Sequence, residues 1–221
     1  MTTKNIIKVL IADDHAIVRE GLKQILADTK DIVVAGHAEN GIEAIKLTRE
    51  GTCHVLLLDI SMPDRSGIEV LKQVKKESPK TAVLMLSMHR EDQYAIRSLK
   101  AGASGYLNKQ SAPAELVNAI RQVAGGRKYI SAALAQELAN QISDDHETPL
   151  HETLSDREYQ TLTMIASGKT VSDIANELVL SVKTISMYRS RLLQKMKLRH
   201  NAELTLSLIH ISEPTRQAEI S

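Results

Sequence analysis

The chain has 221 residues, more than one average domain and fewer than two large ones, so two compact units of unequal size are expected. Apolar residues at 43% and charged residues at 25% are the proportions of an ordinary folded protein with a hydrophobic core, which excludes a disordered or collagen-like chain. The net charge of +1 is silent about nucleic acid, and the single Cys53 excludes an internal disulfide or cysteine-rich zinc site, fits a reducing compartment and reads as a small core residue rather than a nucleophile.

In chain order, Ile7 to Ala12 is a short apolar run ending in Asp13-Asp14, followed by Ile17, Val18, Leu22, Ile25 and Leu26 at helical spacing. The cycle repeats with Ile32 to Ala35 before Ile42, Ala44, Ile45 and Leu47, and with Val55 to Leu58 before Ile68, Val70, Leu71 and Val74. It continues with Ala82 to Leu86 before Tyr94, Ala95, Ile96 and Leu99, and closes with Tyr106-Leu107 before Leu116, Val117, Ile120 and Val123. Strands buried on both faces read as continuous apolar runs, so five such units predict an α/β fold: a five-stranded doubly wound parallel sheet over residues 5–125. A sheet of this kind carries its site at the C-terminal ends of its strands.

Residues 126–149 read as a linker holding one helix, Ser131 to Ile142, then the polar stretch Ser143 to Pro149. Residues 150–211 read as a small all-α domain. Ser155-Asp156-Arg157-Glu158 has the form of a capping box with Leu154 and Tyr159 placed to staple across it, opening a helix that Gly168 stops. Thr170 can cap a helix to about Leu178, and after a turn ending at Ser181 a longer one runs from Val182 to about Met196. Two helices so joined, the second one basic, have helix-turn-helix spacing. The near-zero total charge hides this basic segment: from Val179 to Ala202 the charged residues are Lys183, Arg189, Arg191, Lys195, Lys197 and Arg199, with no acid among them. With no Phe or Trp and five Tyr, a base-stacking platform for single strands is not expected.

Asp13 and Asp14 end the first strand and Asp59 the third, and in a doubly wound sheet those ends are close. Two like charges ~4 Å apart repel by about 4 kcal/mol at an effective dielectric of about 20, so three carboxylates call for a hard divalent cation, Mg²⁺. The plainer reading of Asp13 and Asp14, as helix-start acids favouring the dipole, applies to the pair by itself. Ser87 after the fourth strand and Lys109 after the fifth add a hydroxyl and an ammonium to the same rim, a set suited to in-line phosphoryl transfer onto an oxygen.

Asp13-Asp14, Asp59 through Gly67, Ser87 and Ala101 through Lys109 resemble the receiver domain of two-component response regulators, of flavodoxin-like fold. Gly168 through Leu198 resembles the LuxR-type helix-turn-helix, and together they look like the NarL/FixJ class, near the GacA/UvrY group in the run Lys183 to Arg189. The resemblance implies a phosphorylation-dependent, DNA-binding transcriptional regulator, not an enzyme beyond its own phosphotransfer and dephosphorylation. Asp59 would be the nucleophile, phosphorylated by a sensor histidine kinase or a small acyl phosphate. Asp14, Asp59 and the Ser61 carbonyl would hold Mg²⁺, with Asp13 contributing directly or through water, and Lys109 would pair with phosphoryl oxygens. Ser87 would shift to bind the phosphate and Tyr106 would swing inward behind it; the plainer place for Tyr106 is the rim, packed on the last helix. Receivers usually carry Lys-Pro with a cis bond where this chain has Lys109-Gln110. His89 could tune dephosphorylation or be a solvated helix-start residue.

By the same resemblance Lys183, Thr184 and Arg191 would contact the DNA backbone, Ser186, Met187 and Ser190 the groove floor, and Ile185, Tyr188, Leu192 and Met196 the preceding helix. Promoter double-stranded DNA and a homodimer on paired half-sites are the implied partners. No apolar run approaches the ~20 residues that cross a bilayer and Met1 to Asn5 lacks a secretory pattern, so a cytoplasmic protein with no membrane partner is expected.

Gly168-Lys169-Thr170 echoes a phosphate-binding loop, but Thr163 stands where its first glycine belongs. The eight histidines are scattered, and none is assigned to zinc. Residues 206–221 depart from the family and look like a non-native, vector-derived tail, which brings dimerisation into question. Two rival readings stay open: a Mg²⁺-dependent phosphatase or phosphotransferase, and a constitutive DNA binder with a degenerate receiver.

Overall fold

A computed structural model describes residues 6–51, 53–88, 93–131, 134–136, 150–198 and 203. His89, most of the helix expected over 131–142, the polar stretch 143–149, Arg199 and the tail 206–221 lie outside the described residues. The chain divides into two compact units, Met1–Asp144 and Asp145–Ser221.

The first unit alternates β1 (Ile7–Ala12), α1 (Ala16–Ala27), β2 (Ile32–Ala38), α2 (Gly41–Arg49), β3 (Val55–Asp59), α3 (Gly67–Glu77), β4 (Ala82–Ser87), α4 (Gln93–Lys100), β5 (Gly105–Asn108) and α5 (Pro113–Ala124). The strands form one parallel sheet in the order β2-β1-β3-β4-β5, so the chain reverses direction across the sheet between β1 and β3. β3 and β4 are buried along their whole length because helices cover both faces. On one face Val9, Ile11, Val55, Leu57, Leu84 and Leu86 pack with Leu26 of α1 and Leu116, Ile120 and Val123 of α5. Cys53 joins this buried interior, and burial pushes its thiol up to about 11.

Three features depart from the sequence expectation. β2 continues past Ala35 to Ala38, with a bulge: Val34 faces Val9 and Gly36 faces Leu10, leaving Ala35 without a partner. In α1 the apolar series begins out of phase. Ile17 is 88% exposed, because at about 3.6 residues per turn it lies opposite Leu26, and Arg19 takes the buried position instead. Finally, residues 127–131 are not free linker: Tyr129 bridges to Gly105 at the open edge of β5, its N–H donates to the Ser104 carbonyl (2.9 Å) and its hydroxyl to Glu115 (2.8 Å).

The loop from β3 into α3 turns tightly enough that Gly67 donates its N–H to the Ile60 carbonyl (2.8 Å), and a Cβ there would lie 2.1 Å from the Asp59 carbonyl oxygen. Ser66 then caps α3 in a capping box with Glu69. Glycine is required here by the close approach of two backbones.

In the second unit a 3₁₀ turn, Leu150–Thr153, leads into α6 (Asp156–Ala166), α7 (Val171–Glu177) and α8 (Val182–Lys195). Ser155 and Glu158 form the expected capping box, and Leu154 and Tyr159 are both buried. Gly168 (φ +85°) ends α6 in the left-handed conformation, with Lys169 N–H bonded back to Met164 and Gly168 N–H to Ile165. α7 ends in the same way at Val179 (φ +53°), where a β-branched side chain is strained. α8 packs on α6 and α7 through Ile185, Leu192 and Met196, all buried; Tyr188, expected with them, is half-buried.

Gly67→Ala should lower stability by about 3 kcal/mol, read from the urea midpoint, because neither backbone can retreat. Val179→Asn should raise it by about 1 kcal/mol by relieving the left-handed strain; an unchanged midpoint would mean the turn carries no strain to relieve.

Candidate functional site

The strand ends gather four charged groups. Asp13 and Asp14 follow β1, Asp59 closes β3 on the neighbouring strand, and Lys109 follows β5. β5 is two interstrand spacings of about 4.8 Å from β3, so only a long side chain can span the distance. Lys109 crosses the end of β4: its N–H donates to the Ser87 carbonyl (2.7 Å), and its Nζ lies 2.6 Å from Asp13 Oδ2 and 2.9 Å from Asp59 Oδ2. Gln110 takes up the position after it, donating its N–H to Asn108 Oδ1 (2.8 Å), a bond that proline in its place lacks the hydrogen to make.

Asp13 and Asp59 are buried and Asp14 is partly covered. Burial pushes the Asp59 carboxyl above the ordinary carboxylate range; Asp13 adds to that, while Lys109 and the Ser61 backbone N–H pull the other way. Burial also works against the Lys109 ammonium, yet Asp59 and Asp13 together outweigh it and raise that group. Lys109 therefore stays charged, and Asp59 carries the unrelieved cost.

His15, which the sequence reading did not single out, joins the cluster. Its backbone N–H donates to Asp13 Oδ1 (2.9 Å), and its Nδ1 lies 2.8 Å from Asp14 Oδ1. Ligand atoms of Asp13, Asp14, His15 and Asp59 all fall within 4.8 Å of one another. Asp13 Oδ2, Asp14 Oδ1 and Asp59 Oδ2 are buried without an aligned hydrogen bond, although the Lys109 ammonium lies close to the first and third. Three hard oxygen donors in this condition fit Mg²⁺.

Ser61 lies in the loop after β3, half-buried. Ser87 is buried at the end of β4, one residue past Leu86, which stands opposite Asp59. Tyr106, opposite Met85 on β5, is fully buried rather than at the rim.

At the other end of the chain, Lys183, Ser186, Met187, Ser190 and Arg191 are exposed on α8. Thr184 is half-buried, with its hydroxyl 2.7 Å from that of Ser181, which caps the helix. Lys195, counted among the basic residues, is engaged within the unit, 2.6 Å from Glu158 and 3.2 Å from the Thr153 carbonyl. That pairing had no signal in the sequence, since it joins residues on two helices that meet only in the folded unit.

Residues 9–121 match the family described as response regulator receiver domain, and residues 152–208 the bacterial regulatory proteins of the luxR family. The chain is 39% identical over 200 residues to the response regulator UvrY of Escherichia coli K12, covering 90% of this chain and 92% of that protein. It is 39% identical over 202 residues to the response regulator GacA of Pseudomonas aeruginosa, covering 90% and 94%. A structure of RcsB from Salmonella enterica serovar Typhimurium bound to promoter rprA with phosphomimetic BeF₃⁻ is similar at a TM-score of 0.65 and 27% identity, over 93% of this chain and 99% of that one. A structure of two RcsB dimers on two parallel DNAs is similar at 0.58 and 28%, over 94% and 100%.

The raised Asp59 group makes the native protein hold a proton that the unfolded chain has released, so stability falls as pH rises from the ordinary carboxylate range through the raised value, and the loss persists at neutral pH. Asp59→Asn should therefore raise the metal-free melting temperature at pH 7, an advantage that disappears once the pH is below the ordinary carboxylate range, where Asp59 is protonated in the folded and unfolded chains alike. Differential scanning calorimetry at the two pH values checks it.

Proposed function

The chain belongs to the response regulators, an N-terminal receiver domain joined to a luxR-family DNA-binding domain, and from that premise we propose that phosphorylation of Asp59 by a sensor histidine kinase switches its binding to promoter DNA. The observation that carries the reading is the convergence of Asp13, Asp14 and Asp59 at the strand ends, with Lys109 reaching across to Asp13 and Asp59.

An Asp59 carboxylate oxygen attacks phosphorus in line, the bond from phosphorus to the donor's imidazole nitrogen or acyl oxygen breaks, and the leaving group departs with that electron pair. Mg²⁺, when bound, draws charge from the phosphoryl oxygens; Asp14, Asp59 and the Ser61 carbonyl would hold it, with Asp13 directly or through water. Lys109, already across the top of β4, meets the new phosphoryl charge as its pairing to Asp59 is lost. Ser87 offers a hydroxyl to the phosphoryl group, and Tyr106 behind it couples that bond to the β4–α4 side of the domain. The receiver catalyses its own phosphotransfer and dephosphorylation through the same groups.

For output, α8 enters the major groove. Lys183, Thr184 and Arg191 contact phosphates and Ser186, Met187 and Ser190 reach base edges; apart from the half-buried Thr184 all are exposed. A homodimer on paired half-sites is part of the same reading, supported by the dimeric, DNA-bound relative. No helix among the described residues is long and apolar enough to cross a membrane, and a cytoplasmic location belongs to the proposal.

Incubation of the full chain with MgCl₂ and acetyl phosphate, followed by borohydride trapping and mass spectrometry, should mark one residue, Asp59, and Asp59→Ala should abolish the mark. In gel shifts on genomic promoter fragments the wild type treated with acetyl phosphate, and not with borohydride, should bind at lower concentration than Asp59→Ala, and Lys183→Ala should weaken binding with a flatter salt dependence. Equal DNA binding by wild type and Asp59→Ala, with no trapped adduct, would refute the switch.

A further inference from the structure

We propose that Arg19 is a positioning residue for the acidic pocket, holding the peptide between Asp13 and Asp14 so that both carboxylates are presented to Mg²⁺. The inference rests on the metal reading given above and adds to it a residue that touches neither metal nor phosphoryl group.

Arg19 lies in the buried stripe of α1, at a position where the helix faces the interior and an apolar side chain is the ordinary occupant. Its side chain is 8% exposed. Nη1 donates to the Asp13 carbonyl oxygen at 2.8 Å, and Nη2 pairs with Glu39 at the end of β2. Taking a guanidinium out of water is costly, and exposed Glu39 recovers little of that cost. What the guanidinium achieves is geometric. The Asp13 N–H is already held by the Ala38 carbonyl (3.2 Å), so with Arg19 on its carbonyl the residue is gripped on both sides. The Asp13 carbonyl belongs to the peptide plane that sets the start of Asp14, and His15 N–H, one residue on, closes the turn onto Asp13 Oδ1. Asp13 and Asp14 thus sit on a short span pinned by Ala38, Arg19 and their own turn. Repulsion among three acids pushes that span outward, and Arg19 is the buried cation on its inner side. An arginine is needed because its planar fork satisfies a carbonyl and a carboxylate at once, which a lysine ammonium does less well.

Neighbours that orient ligands without touching the metal typically change its affinity about 10–100-fold when removed. Glu39 is exposed, so Arg19→Met strands no buried charge, and methionine puts an apolar side chain of similar length into the buried stripe of α1. Arg19→Met therefore separates the two roles. Calorimetric titration of the full chain with MgCl₂ should show the dissociation constant raised at least about tenfold in Arg19→Met and by less in Arg19→Lys. The metal-free melting temperature of Arg19→Met should stay within a few degrees of wild type. The MgCl₂ concentration giving half-maximal acetyl phosphate labelling should rise in parallel, with the labelling rate at saturating MgCl₂ kept within about threefold. Unchanged Mg²⁺ affinity in Arg19→Met overturns the proposal, as does a loss of labelling that saturating MgCl₂ does not restore. If Arg19→Met fails to fold, Arg19→Lys decides by the same titration, wild-type affinity in it being the refuting result. Wild type that takes up no Mg²⁺ refutes the metal reading and this inference with it, whereas wild-type uptake with an insensitive Arg19 refutes this inference alone.

Discussion

The ammonium of Lys109, suspended across the end of β4 between Asp13 and Asp59, is the interaction on which the strand-end site depends. One positive charge cannot neutralise three carboxylates, so the pocket is under electrostatic load. Burial deepens the load, since Asp59 has little water to lean on. The backbone resists it: β1 and β3 are hydrogen-bonded neighbours whose ends cannot separate, Gly67 folds the next loop directly over Asp59, and Arg19 restrains the turn at Asp13. A fold that forces like charges together, with too little positive charge to balance them, is poised to respond to any event that changes the charge balance. Converting one carboxylate into an acyl phosphate, with a doubly charged phosphoryl group, is such an event.

The two units divide the work along physical lines. The first holds charges in a water-poor cleft where small changes are felt strongly. The second displays cations on a helix whose opposite side is locked by Ile185, Leu192 and Met196, so that its outer face keeps one geometry. Lys195 shows how economical that helix is: it binds Glu158, the same residue that closes the capping box of α6, and so fastens the recognition helix to its support.

Much of this was legible before folding was considered. Continuous apolar runs announced strands covered on both faces, and acids at the ends of the first and third runs announced a pocket, because chain order in a doubly wound sheet dictates which ends meet. The capping box at Ser155 and the cap at Thr170 are local signals, legible because they involve residues within one turn. What stayed hidden was whatever joins distant segments. Arg19 is buried although polarity in an amphipathic pattern reads as exposure, and Ile17 is exposed although its apolar side chain reads as core. The bulge at Ala35 leaves no mark in composition, only in register. Tyr129, placed by pattern in a linker, is claimed by the open edge of β5, which the sequence could not show because it does not say which strand is outermost.

The burial of Cys53 has an outcome of a different kind. A thiol held near 11 is almost wholly protonated in a cell, and the thiolate is the form that attacks peroxides and disulfides. Oxidative stress that modifies exposed sulfhydryls therefore bypasses this one, leaving the phosphorylation signal free of interference through that side chain.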